Sequence, residues 1–289
     1  VISERLDEWY QLKGVRDAKE RAEQYGGHKI GPSNLADCLR KHAFLLSGLT
    51  PEPISPESLR VFELGHQRGE QLERACKEIW PDAQSQVAIE IPLGNFKLQG
   101  TCDLWIPSLH TIVDFKTIGS FGAGLLAQKR CAVCMGNGYL DVEREPWKVT
   151  CIECRGSGIT GGVSEEYQLQ VHAYRWGLAF HAGYSVLSSC PGPETIRCLI
   201  VYEAKDSDAR KGIEAGKLIE LEVPWTLALE KRYQERLLAI EGLLIRKAQG
   251  NLDPLQVPGL PKDHWKCRTH ADGRPKYCPV GPKRGQCHP

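Results

Sequence analysis

The sequence predicts an α/β protein, a mixed sheet flanked by helices, with a small metal-binding ribbon inserted into it. Helical periodicity gives way after residue 80 to three strand-like runs, and both kinds of signal return after residue 163. Between them lies a stretch rich in Gly and Cys that has no regular period. At 289 residues, 41% hydrophobic and 25% charged, the chain can bury one principal core and still carry an insertion.

The elements follow in order. Residues 1–30 alternate charged and apolar side chains and are expected to form an N-terminal helical segment; they lack the basic, apolar, small-residue order of a secretory signal. A helix is predicted over 33–47, with Ser33 after Pro32 as N-cap and Leu35, Leu39, Ala43 and Leu46 at helical spacing. After a Pro-rich turn, a longer helix is predicted from Glu57 to Trp80, with Leu59, Phe62, Leu72, Ala75 and Ile79 as its core stripe. Strands are predicted over Gln86–Ile91, Phe96–Ile106 and His110–Lys116, divided by turn signals at Pro92 to Gly94 and at Pro107 and Ser108. Beyond the insertion at 119–163, a helix is predicted from Glu165 to His181, with Tyr167, Val171, Tyr174 and Leu178 on one face. Strands Thr195–Tyr202 and Leu218–Val223 and a long helix from Pro224 to Gln249 complete the regular pattern. The principal domain is thus discontinuous, 31–118 and 164–289.

Composition excludes some classes of function. No apolar run approaches the roughly 20 residues that span a bilayer. No G-x-x-x-x-G-K-[ST] phosphate loop is present, so ATP-driven unwinding would need a partner. A net charge of +1 neither demands nor forbids a nucleic-acid partner. The C-terminal tail gathers Lys262, Lys266, Arg268, Arg274, Lys276, Lys283 and Arg284, which suits phosphate contact and equally suits a solvated tail.

The most informative residues are Gly100 and Asp103 on one predicted strand and Asp114 and Lys116 on the next. Strand side chains repeat every two residues, so Asp114 and Lys116 share a face. Asp103 and Asp114 can then hold an oxygen-ligated divalent ion such as Mg²⁺ or Mn²⁺. Lys116 can orient or deprotonate a water and offset charge on a phosphate. This is the chemistry of phosphodiester hydrolysis. On the preceding helix, His66, Glu70 and Glu73 recur at helical spacing, and Glu70 is the chosen further ligand. Gly65 and Gly69 are expected to bring that helix close to the sheet. Gln170 and Tyr174, four apart, place an amide and a phenol together beside the site.

Twelve cysteines without a secretory signal point to metal and to a reducing, cytoplasmic compartment. Cys131 and Cys134, and again Cys151 and Cys154, form two copies of C-x-x-C-x-G-x-G, which together predict one tetrahedral zinc site. The repeat resembles half of the DnaJ cysteine-rich region, which raises a peptide-binding module as a rival class; the chain has no His-Pro-Asp signature of a J domain. Cys76, Cys102, Cys190 and Cys198 read as buried thiols.

The order of a helix with Glu, a strand with Gly-x-x-Asp, a strand with Asp-x-Lys-Thr and a helix with Gln-x-x-x-Tyr resembles the RecB-like PD-(D/E)XK nucleases. The likeness is strongest to their iron–sulfur branch, which contains CRISPR-associated exonucleases and AddB-type nuclease domains. It covers roughly residues 30–118 and 164–289, including Cys38 in the opening Ser33-to-Arg40 motif. The resemblance implies Asp103 and Asp114 as metal ligands, the Phe115 carbonyl as another, Lys116 as catalytic, and Gln170 and Tyr174 as supports of site and DNA. It also implies that Cys38, Cys267, Cys278 and Cys287 hold a [4Fe–4S] cluster joining the ends of the domain. The last three are spaced more widely than in that family, and a second zinc using His270 or His288 is the alternative. The family's helix often carries a histidine where Gly69 stands and a glutamate where Glu73 stands, so His66, Glu70 and Glu73 all remain open. The activity implied is a DNA exonuclease or flap nuclease acting on single-stranded ends, in repair, recombination, or phage or CRISPR DNA processing, with a helicase or recombination partner. The alternatives are a sequence-specific endonuclease and a non-catalytic binding module on a degenerate nuclease fold.

Overall fold

Strand alternation in the sequence becomes a mixed sheet with helices on both faces. The computed structural model of the chain describes residues 2–25, 28–49, 51, 54–126, 129–130, 139–141, 148–150, 159–160, 162–181 and 192–259. Helices α1 (Ile2–Tyr25), α2 (Leu39–Leu46) and α3 (Pro56–Ile79) precede strands β1 (Gln84–Leu93), β2 (Phe96–Ile106) and β3 (Thr111–Ile118). Then come α4 (Ser120–Leu126) and the short strands β4 (Lys129–Arg130), β5 (Tyr139–Asp141), β6 (Lys148–Thr150) and β7 (Ile159–Thr160). Helix α5 (Glu165–His181) leads into β8 (Arg197–Ala204), β9 (Leu218–Glu222) and α6 (Leu227–Ala248).

The principal sheet has five strands in the order β1-β2-β3-β8-β9. Its pairings are antiparallel except for β3 with β8, which run parallel with Asp114 beside Ile200 and Lys116 beside Tyr202. A parallel pair needs a long crossover. Here that crossover holds α5 and, before it, two nested ladders, β4 with β7 and β5 with β6. One face of the sheet packs its Ile89, Ile91, Cys102, Ile112 and Ile200 against α5, α6 and α2. The other packs Leu104, Ile106, Val113 and Phe115 against Leu72 and Cys76 of α3 and Trp80 just past its end. Strand β3 is covered on both faces and reads as an unbroken buried run from Thr111 to Phe115.

Helix α5 is buried on nearly every side, wider than the single stripe its periodicity predicts. It lies close to β1: a Cβ on Gly177 would stand 2.0 Å from Ile89 Cγ2, so only glycine permits this approach. Buried Arg175 donates to the carbonyls of Ile196 (2.8 Å) and Val223 (2.9 Å) and to His172 Nδ1 (3.2 Å). The other ring nitrogen of His172 then donates to Glu230 on α6 at 2.7 Å. Polar groups therefore bind α5 to the ends of β8 and β9 and to α6.

Two expectations are corrected. The helix predicted over 33–47 is a 3₁₀ turn at Pro32–Asn34 followed by α2. The Asn34 side chain accepts from the Gly31 N–H (2.8 Å) and donates to the Lys29 carbonyl (3.0 Å), and such local bonds compete with helix. The stripe predicted on α3 is also misplaced: Phe62 and Ile79 are 60% and 64% exposed, and Ala75 is exposed as well. Leu72, Cys76 and Trp80 face the sheet instead. Of the two glycines expected to allow close approach, Gly65 does so, since a Cβ there would stand 3.1 Å from Thr117 Oγ1, whereas a Cβ on Gly69 would meet nothing within 4 Å.

Two histidines near α2 are held neutral. His42 Nε2 lies 3.0 Å from the Asn34 carbonyl, which only accepts, so His42 Nδ1 must accept from His28 Nε2 at 2.9 Å. Burial, with the nearby Lys41 charge, pulls His28 down to about 4, and burial, with His28, pulls His42 down to about 3. The unfolded chain therefore binds more protons than the folded one below the ordinary value of 6.5. Denaturant unfolding should show stability falling as pH drops from about 6.5 towards 4, with a shallower fall in His28→Gln, which keeps a donor but cannot titrate. Replacing Arg175 by Met, which orphans two buried carbonyls, should cost roughly 3–5 kcal/mol in the same assay at neutral pH.

Candidate active site

The site is built where β2 and β3 part. Their ladder runs through Ile106 and Thr111, Trp105 and Ile112, and Leu104 and Val113, and the next N–H of β3 that faces β2 finds no strand carbonyl. Asp103 takes that place: its Oδ2 accepts the Phe115 N–H at 3.0 Å. Backbone N–H groups of a strand point within the sheet, so the Asp103 carboxylate is drawn into the gap between the strands.

Asp114 and Lys116 share the face of β3 that turns towards α5, as period two requires. Lys116 Nζ lies 2.7 Å from Asp114 Oδ2. Gln170 Nε2, from α5, donates to Asp114 Oδ1 at 3.2 Å and to the Tyr174 hydroxyl at 2.6 Å. The Lys116 ammonium also sits 5.2 Å from the ring centroid of Tyr167, one turn before Gln170. The structure therefore brings together Asp103, Asp114, Lys116, Gln170 and Tyr174 from two strands and one helix. Tyr167 belongs with them, although in the sequence it reads as an ordinary member of an apolar stripe.

Burial sets the electrostatics. Asp114 is fully buried, and desolvation raises its carboxyl to about 6; the Lys116 ammonium opposes the rise and the Asp103 charge adds to it. Burial on its own would lower Lys116, but Asp114 and its hydrogen-bonding contact outweigh it, so the amine is held above its ordinary value. In the ion-free state this favours the protonated amine. The Tyr174 phenol and the Cys102 thiol are pushed up, first by burial and then by the Asp114 and Asp103 charges. Asp114 Oδ2 thus has Lys116 as its ion-pair partner, and Oδ1 has Gln170 as its donor.

On α3 the acids sort by exposure. His66 and Glu70 are exposed, whereas Glu73 is 7% exposed. Glu73 Oε1 accepts from Gln86 Nε2 at 2.8 Å, and its carboxyl is raised by burial, with the Asp103 and Glu70 charges adding to the rise. The buried acid on the sheet side of this helix is therefore Glu73, while Glu70, the chosen ligand, points to solvent.

Of the cysteines, Cys102 and Cys198 are fully buried, and Cys38 is buried at the start of α2 near the Arg236 charge. Cys131, Cys134, Cys151 and Cys154, expected to bind zinc, and Cys267, Cys278 and Cys287, expected with Cys38 to bind the cluster, lie outside the described residues, as does Cys190. Among the described residues, no group of three or more His, Cys, Asp or Glu side chains is gathered as a metal cage, and no helix is long and apolar enough to cross a membrane.

No protein-family profile and no curated protein matches the chain. Among solved structures, the fold is similar to SSO0001, with a TM-score of 0.42 and 16% identity over 97% of this chain and 94% of that one. It is also similar to a phage-related exonuclease from Haemophilus somnus 129PT, with a TM-score of 0.43 and 12% identity over 78% of this chain and 96% of that one. At such distances the functional reading rests on the residues of the site itself.

Because Lys116 opposes the rise at Asp114, Lys116→Met should move the Asp114 carboxyl further up from about 6. A carboxyl-carbon NMR titration of the ion-free protein checks this, and an unchanged midpoint would mean that the ammonium does not face Asp114 in solution.

Proposed function

We propose that the chain is a Mg²⁺- or Mn²⁺-dependent DNA nuclease, an exonuclease that hydrolyses phosphodiester bonds at single-stranded ends or flaps. One observation carries the reading: the Asp114 carboxylate is fully buried, held by Gln170 on one oxygen and paired with Lys116 at 2.7 Å on the other, and within the field of Asp103. Two carboxylates whose charges add against each other in a buried place suit a hard cation. The donors present, carboxylates of Asp103 and Asp114 with the Phe115 carbonyl, are all oxygen. Magnesium is commonly held by one or two carboxylates together with water and substrate phosphate rather than by a closed protein cage, so the pair is sufficient. Of the candidates on α3, Glu73 is the buried one and the one within the field of Asp103, so it is the acid of that helix proposed in place of Glu70. When bound, the ion supplies Lewis acidity towards a phosphodiester and offsets its charge.

The chain's own residues account for the rest. Gln170 holds one oxygen of Asp114 and leaves the other facing the site, while Tyr174 fixes the Gln170 amide. Lys116 brings a permanent positive charge to the place where charge develops on a phosphate, the role that its raised pKa favours over that of a base. The preference for DNA ends and single strands is supported by the resemblance of the motif order to the RecB-like family. The same resemblance supports a [4Fe–4S] cluster at Cys38, Cys267, Cys278 and Cys287 and a helicase or recombination partner. Zinc at Cys131, Cys134, Cys151 and Cys154 is supported by the paired knuckles.

End-labelled single- and double-stranded DNA should be cut in the presence of Mn²⁺ or Mg²⁺ and spared with EDTA. Lys116→Ala and Asp114→Ala should each slow cleavage roughly a hundredfold or more while the protein stays folded by circular dichroism. A fully metallated wild type that binds DNA but cuts neither substrate would leave the non-catalytic binding module as the better description.

A further inference from the structure

Gln86 is the third residue of β1 and has a φ of +53°, the left-handed region that residues bearing a Cβ rarely enter outside turns. The ladder with β2 keeps one register on either side of it, Ser85 with Leu104 and Val87 with Cys102, which places Gln86 opposite Asp103. Side chains on both strands change faces across this position. Val87, Ile89 and Cys102 pack towards α5, whereas Ala83 and Leu104 pack towards α3. The reversal turns the Gln86 amide towards α3, where it donates to Glu73 Oε1 at 2.8 Å.

We propose that Gln86 is a positioning residue of the nuclease site, holding the Glu73 carboxylate beside Asp103 through an amide that the left-handed backbone aims. This rests on the nuclease reading above. A purely structural kink would be met with less strain by glycine. Glutamine is instead exposed, buries little of itself, and adds a donor with the reach to meet a buried acid on another element. Strained backbone of this kind persists where the surroundings over-determine it, and it clusters at functional sites.

The test uses the full chain and compares wild type, Gln86→Gly, Gln86→Asn, Glu73→Ala and the Gln86→Gly, Glu73→Ala double variant. Mn²⁺ binding is followed by electron paramagnetic resonance, cleavage on end-labelled single-stranded DNA, and folding by thermal melting. Gln86→Gly should melt at or above the wild-type temperature yet bind Mn²⁺ about tenfold more weakly, the loss typical of an outer partner of a metal ligand. Gln86→Asn tolerates the backbone but is one methylene short, and should show the same loss. In the double variant the Gln86 change should add nothing to the loss caused by Glu73→Ala, because the amide acts through that carboxylate. Wild-type affinity and rate in Gln86→Gly, or losses that simply multiply in the double variant, overturn the proposal and leave the nuclease reading intact. A wild type that neither binds Mn²⁺ nor cuts overturns both.

Discussion

A buried anion must be neutralised, hydrogen-bonded or protonated, and the carboxylate of Asp114 imposes that demand on everything near it. It lies on a strand covered by helices on both faces, where water cannot supply the compensation. Lys116 supplies charge from the same strand, and Gln170 supplies a donor from α5. Together they do not fully offset burial, since the carboxyl still rises to about 6. The residual imbalance is concentrated on one carboxyl group, and the proposed cation would relieve it.

Holding that imbalance in place requires a rigid frame, and α5 is the element that provides it. The same helix carries Gln170 and Tyr174 towards the site and Arg175 and His172 away from it, into bonds with the strand ends and α6. Gly177 lets it settle against β1. Rotating α5 by a fraction of a turn would break the Arg175 bonds and the Gln170 bond together, so stability and site geometry are coupled through one helix. On the other face, α3 is fixed near the site by Gly65 against Thr117 and by the Arg68 guanidinium, which grips buried Glu203 on β8.

How much of this the sequence discloses depends on whether a feature is set by period or by orientation. Strand β2 and helix α5 have the bounds that alternation and helical spacing predict, and Asp114 with Lys116 share a face because a two-residue period leaves no choice. Asp103 joins them because the neighbouring strand follows a short connection. Which acid of α3 turns towards the sheet is different in kind. His66, Glu70 and Glu73 all fit a helical spacing, and only the rotation of the helix about its axis separates them. An apolar pattern that includes exposed Phe62 and Ile79 sets that rotation wrongly. Gln86 leaves no trace at all, since neither its type nor its neighbours mark a left-handed residue, and the break at Asn34 depends on side-chain bonds that compete with helix only once the backbone around them is placed.

The state of Lys116 bears most directly on chemistry. Lysine can serve as a base only if burial outweighs the anions around it and lowers its pKa towards neutrality. Here the opposite holds: Asp114, Asp103 and Tyr167 together outweigh burial and keep the proton on the amine. The Asp114 carboxyl is raised to about 6 by the same burial, with the Asp103 charge adding to the rise. On the proposed reading, Lys116 contributes a fixed charge that lowers the cost of negative charge on a phosphate. The two residues of the Asp-x-Lys segment thus divide the work by environment, the carboxyl tuned by burial and the amine tuned by the carboxyl.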